Sequence, residues 1–120
     1  MAIERVLVID DSPTDQHLIC SYLRGNGFEV VTANDGEHGI DTAKGQLPDL
    51  ILMDVVMPGM NGFQATRKLS RDPETKQIPV IIVSSKGEVT DKVWGMRQGA
   101  VGYLTKPVSE QDLLKKISEL

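Results

Sequence analysis

Four apolar residues in unbroken succession, Val6-Leu7-Val8-Ile9, run directly into Asp10 and Asp11, and a second such run, Leu50-Ile51-Leu52-Met53, runs into Asp54. Strands that are apolar at every position, not at alternate ones, are covered on both faces, as the strands of a parallel sheet are. This pattern restricts the chain to layered α/β folds and gathers three carboxylates at one sheet edge. Charges of one sign about 4 Å apart repel by roughly 4 kcal/mol per pair at an effective dielectric near 20. Such a cluster calls for a counter-charge, and a hard divalent cation is the obvious candidate.

Five β-rich runs recur along the chain: Val6–Ile9, Glu29–Ala33, Leu50–Asp54, Val80–Ser84 and Gly102–Thr105. The stretches between them are long enough for crossover helices, so the expected fold is a parallel five-stranded α/β sheet with helices on both faces. Ser12-Pro13 offers a helix N-cap followed by proline at the first helical position. Ser109 and Asp112 have the spacing of a capping box, ahead of Leu113, Leu114, Ile117 and Leu120 on one face. On the fourth helix Val89, Val93 and Met96 form a thin apolar stripe. Trp94 falls roughly 130° around from that stripe and is expected off the core face. Gly95 in the same helix costs about 1 kcal/mol relative to Ala, which marks the helix as a plausible moving part.

The 120 residues fit one domain, with the last helix at the chain end and no space for an output domain. A net charge of −4 and the lack of a basic tail argue against phosphate-backbone binding to nucleic acid. No apolar stretch approaches the roughly 20 residues that span a bilayer, and Glu4 and Arg5 interrupt any signal-peptide core. The single Cys20 excludes an internal disulfide, which suits a reducing cytoplasm.

In open α/β sheets, ligands bind beyond the carboxyl ends of the strands. Four runs deliver polar groups there: Asp10 and Asp11, Asp54, Ser84 and Lys106. Carboxylates suit Mg²⁺, which takes oxygen ligands and keeps several waters. One carboxylate is then placed to attack phosphorus and form an aspartyl phosphate, with Lys106 and Ser84 as partners for the phosphoryl oxygens.

Asp10-Asp11, the segment Asp54-Val55-Val56-Met57-Pro58-Gly59-Met60-Asn61-Gly62, Ser84 and Lys106-Pro107 together resemble the receiver domain of two-component response regulators, along the whole chain. The resemblance implies the doubly wound, CheY-like sheet order 2-1-3-4-5. It implies that Asp54 is the phosphoacceptor, and that Asp11, Asp54 and the backbone carbonyl of Val56 bind Mg²⁺ (or Mn²⁺), with Asp10 acting through a bound water. Lys106 would contact the phosphoryl group, and the Lys106–Pro107 peptide would be cis. Ser84 and Tyr103 take the switch positions, Ser85 is small enough to leave Asp54 accessible, and Val56 and Lys86 take the positions that tune dephosphorylation. The implied donor is a histidine kinase or phosphotransfer domain, and the implied output is a protein contact through the fourth helix, fifth strand and fifth helix of a monomer or weak dimer. Gly62–Arg67 and Asp91–Ala100 further resemble PilH-type regulators of type IV pilus twitching motility.

Other readings are a phosphate sink for a shared kinase, a receiver from another pathway, a phosphatase with an Asp nucleophile, and a receiver-like module that never takes phosphate. The phosphatase is disfavoured because Asp10 and Asp11 are adjacent, not arranged Asp-x-Asp, and the unphosphorylated module because Asp10, Asp11, Asp54, Ser84 and Lys106 are all present. A flavin site is remote, since the first loop carries acids where a phosphate would want hydroxyls and amides.

Overall fold

The computed structural model describes residues 2–120. Strands and helices alternate as β1 (Arg5–Ile9), α1 (Pro13–Gly25), β2 (Glu29–Ala33), α2 (Gly36–Gln46), β3 (Leu50–Met53), α3 (Gly62–Arg71), β4 (Val80–Ser84), α4 (Val89–Arg97), β5 (Gly102–Thr105) and α5 (Glu110–Ser118). All strand pairings are parallel, in the order β2-β1-β3-β4-β5. The expected fold and all five runs are therefore present, with β1 starting one residue earlier and Asp54 standing just past the end of β3.

The unbroken apolar runs follow from two cores, one on each side of the sheet. Val6, Val8, Leu50, Leu52, Ile81 and Val83 pack against Ile19 and Leu23 of α1 and Leu113 and Ile117 of α5. The intervening residues Leu7, Ile9, Ile51, Met53 and Val80 pack against Ala43 of α2 and Ala65 and Leu69 of α3. Each fully buried Leu or Ile contributes roughly 1.5–3 kcal/mol, so both faces of the central strands need apolar residues.

Three local expectations are corrected. The Val89–Val93–Met96 stripe does not face the core: these residues are 76%, 46% and 47% exposed, and Trp94 is 49% exposed, off the core face as expected. The side of α4 that meets the sheet is marked by Gly95 and Gln98, both buried. A Cβ on Gly95 would lie 2.8 Å from Ile82 Cδ1 and 3.2 Å from the Tyr103 ring. Gly95 is thus the residue that lets α4 approach the sheet. At α5, Leu113 and Ile117 are buried but Leu120 lies past the helix end and is exposed. Ser109 Oγ accepts from the Asp112 amide at 3.1 Å without the reciprocal bond of a full box. A reciprocal box is found at α3, where the Gln64 amide donates to Asn61 Oδ1 at 2.9 Å and the Asn61 amide to Gln64 Oε1 at 3.0 Å.

Candidate functional site

Parallel pairing carries the two acid-bearing strand ends to the same place. Ile9 and Met53 are register partners, and one residue further the Asp54 amide donates to the Ile9 carbonyl at 2.9 Å. The Asp10 amide donates to the Ala33 carbonyl of β2 at 3.1 Å, which ties the β1 end on its other side. Asp10 and Asp54 are consequently 2% and 7% exposed, while Asp11 faces solvent. Carboxylate oxygens of Asp10, Asp11 and Asp54 all lie within 4.8 Å of one another. Three hard oxygen donors on one sheet edge, one of them open to water, fit an Mg²⁺-type cation.

Lys106 follows β5, and its amide donates to the Ser84 carbonyl at 2.8 Å. The Lys106–Pro107 peptide is cis, as expected. The ammonium lies 3.0 Å from Asp10 Oδ2, 2.9 Å from Asp15 Oδ2 and 3.4 Å from Asp54 Oδ1. Asp15 was not anticipated. Its place in the first turn of α1 reads in sequence as an acid favourable at a helix N-terminus, which gives no sign of a partner 91 residues away. Gln16 was missed for the same reason: its Nε2 donates to the carbonyls of Asp10 and Ala33 at 3.1 and 3.2 Å. It braces the ends of β1 and β2.

Burial, and then the nearby Asp10 charge, push the Asp54 carboxyl up to about 6, against a smaller opposing pull from Lys106. Burial alone would lower Lys106, but hydrogen bonds to Asp15 and Asp10 and the charge of Asp54 outweigh it and raise its ammonium well above the ordinary range. Lys106 therefore remains a cation at any physiological pH. At neutral pH Asp54 is mainly an ionised, poorly hydrated carboxylate.

Ser84 is fully buried, and its Oγ accepts from the Lys86 amide at 3.2 Å. The half-buried Tyr103 donates its hydroxyl to the Lys86 carbonyl. Burial pushes the Tyr103 phenol up, so it stays a donor. Ser84 and Tyr103 thus hold the same loop residue, one at its amide and one at its carbonyl. Val56, Ser85 and Lys86 are exposed.

A cation that relieves the repulsion among the three acids stabilises the fold by mass action. Adding millimolar Mg²⁺ to metal-free protein is expected to raise Tm by several degrees in a thermal melt. An unchanged Tm would mean that the acids do not form a common cation site.

The chain matches the family described as the response regulator receiver domain over residues 6–118. It is 54% identical over 114 residues to Protein PilH of Pseudomonas aeruginosa strain PAO1, covering 95% of this chain and 94% of that protein. Among solved structures, the Vibrio cholerae chemotaxis protein CheY4 is similar at TM-score 0.91 and 31% identity, over 98% of each chain. The receiver domain of the sensor histidine kinase PA1611 from Pseudomonas aeruginosa PAO1, which carries a magnesium ion in its active-site cleft, is similar at TM-score 0.89 and 28% identity, over 98% of this chain and 97% of that one. With the sheet order 2-1-3-4-5 and the acid cluster at its carboxyl edge, these matches show that the chain belongs to the response regulator receiver domain family.

Proposed function

We propose that this chain is a response regulator receiver that takes a phosphoryl group on Asp54 from a phosphohistidine of a histidine kinase or phosphotransfer domain. The observation that carries the reading is a carboxylate only 7% exposed, clustered with two further acids and 3.4 Å from a lysine ammonium. Burial leaves the ionised Asp54 oxygen poorly hydrated and so ready to attack. Its oxygen forms the O–P bond as the N–P bond of the phosphohistidine breaks; the electron pair stays on the imidazole nitrogen, which takes a proton from water. Asp10, Asp11, Asp54 and the Val56 carbonyl would hold Mg²⁺ or Mn²⁺, which supplies charge neutralisation at the phosphoryl oxygens. Lys106 faces the same oxygens as a fixed cation, and the Ser84 hydroxyl turns from the Lys86 amide to donate to one of them.

Phosphorylation adds about −1.5 to −2 charge, and movement of Ser84 toward it is coupled to Tyr103 through the Lys86 loop. The exposed Val89, Val93, Trp94 and Met96 on α4 support output through the α4-β5-α5 face to a protein partner. Val56 and Lys86, both exposed, set the phosphoryl lifetime. The likeness to PilH supports a place in a chemotaxis-like system that controls type IV pili and twitching motility. The net charge of −4 disfavours nucleic acid, and no helix among the described residues is long and apolar enough to cross a membrane. We place the protein in the cytoplasm as a monomer or weak dimer.

Incubation with acetyl phosphate and Mg²⁺, followed by borohydride reduction and peptide mapping, is expected to convert residue 54 to homoserine, and EDTA is expected to prevent this. A reduced acid elsewhere, or none, would contradict the proposal.

A further inference from the structure

The shortest contact of Lys106 is to Asp15, at 2.9 Å, against 3.0 Å to Asp10 and 3.4 Å to Asp54. The contacts to Asp15 and Asp10 have hydrogen-bond geometry, so those two acids occupy two of the three ammonium donors. Asp15 lies outside the cluster of acids that can hold a cation, and α1 fixes its position. Ser12 caps the helix, its Oγ accepting from the Asp15 amide at 3.3 Å, and Pro13 opens the first turn. The Asp15 side chain therefore leaves the helix start toward Lys106.

The three carboxylates differ in how freely they can let Lys106 go. Asp10 and Asp54 side chains are 3% and 8% exposed, whereas Asp15 is 43% exposed. An exposed carboxylate recovers its hydration when its partner leaves, and a buried one does not. Asp15 is thus the partner that can release Lys106 at small cost.

We propose that Asp15 is a positioning residue that holds the Lys106 ammonium in the resting state and yields it to the phosphoryl group. This rests on the reading of Asp54 as the phosphoacceptor. In the resting protein Asp15 draws Lys106 off Asp54, leaving the Asp54 oxygen less encumbered for attack. Once a phosphoryl dianion is on Asp54, its oxygens outbid a single half-exposed carboxylate, and Asp15 turns to water. Asp15 therefore sets a threshold: part of the attraction between Lys106 and the phosphoryl group is spent on breaking the resting ion pair.

The test uses beryllofluoride, a phosphoryl mimic, with Mg²⁺. Asp15→Asn is expected to bind it more tightly than wild type by up to about fivefold, the upper end for a half-exposed ion pair. In a Lys106→Met background the same substitution is expected to have almost no effect, because the competition has lost its object. A metal-free readout is the NMR signal of the Lys106 ammonium, expected to shift in Asp15→Asn and to stay near the wild-type position in Asp15→Glu. Equal affinities for wild type and Asp15→Asn would overturn the proposal, and so would equal tightening with and without Lys106, which would indicate only a through-space charge. Beryllofluoride binding that survives Asp54→Asn would instead overturn the reading of Asp54, so the two failures are told apart.

Discussion

Gly62→Ala is expected to destabilise the protein by about 3 kcal/mol or more, enough to unfold much of it near physiological temperature. A Cβ at this position would penetrate the Asp54 carbonyl oxygen and lie 2.7 Å from the Asp54 carbonyl carbon and 2.8 Å from Val55 Cα. All three are backbone atoms and cannot swing aside as a side-chain end can. The Gly62 amide also donates to the Val55 carbonyl at 2.9 Å, which closes the loop between Asp54 and α3. Relieving the clash means moving either α3, anchored by the Asn61–Gln64 box, or Asp54 itself. The loss is read from the denaturant midpoint in an equilibrium urea melt. Gly25→Ala is the control: nothing lies within 4 Å of its Cβ position at the last residue of α1, so that variant is expected to be neutral or more stable by up to about 1 kcal/mol. Similar losses in the two variants would contradict the close-approach explanation.

Asp54→Asn in metal-free protein is expected to act in the opposite direction. Asp54 titrates at about 6 in the fold against an ordinary 3.8, so the native state holds its proton more tightly than the unfolded chain does. Stability from this group is fully present below about pH 3.8 and is lost as pH rises through about 6. By neutral pH the deficit is on the order of 3 kcal/mol, taking about 1.4 kcal/mol per pKa unit over the shift from 3.8 to about 6. The pull of Lys106 is already contained in that shift. Asp35, Asp49 and Asp72, whose carboxyls backbone hydrogen bonds hold low, gain stability over the acidic range in both proteins. The comparison that isolates Asp54 is therefore the stability difference between variant and wild type. It is expected to be near zero at pH 4 and to grow in favour of the variant up to pH 7. The Tm gain from Mg²⁺ is expected to shrink in the variant. A difference that is flat with pH would mean Asp54 is not held in a desolvated, acid-crowded place.

Much of the fold and of the site was legible in the sequence because both rest on strand ends. Runs apolar at every position, such as Leu50–Met53, can be satisfied only by two-sided burial, and the residue after such a run must emerge at the sheet edge. Asp10, Asp11, Asp54, Ser84 and Lys106 are read this way; the structure brings the three acids and Lys106 together, and Ser84 ends the neighbouring strand β4 with its hydroxyl on the Lys86 amide. The sheet order, which makes β1 and β3 neighbours, came only through the family resemblance, since no residue pattern distinguishes neighbouring strands. Helix faces were read less well. The α4 stripe was expected to pack because apolar residues at helical spacing usually do, but the close approach was made by Gly95, which has no side chain to reveal it. Asp15 and Gln16 were invisible because their partners lie across the fold and their residue types are ordinary for the first turn of a helix.

The central claim, that Asp54 is the single group the site prepares for a phosphoryl, is tested most directly by intact mass after treatment with acetyl phosphate and Mg²⁺. Wild type is expected to gain the mass of one phosphoryl group and Asp54→Asn to gain none while remaining folded. A phosphoryl gain by Asp54→Asn under the same conditions would contradict it.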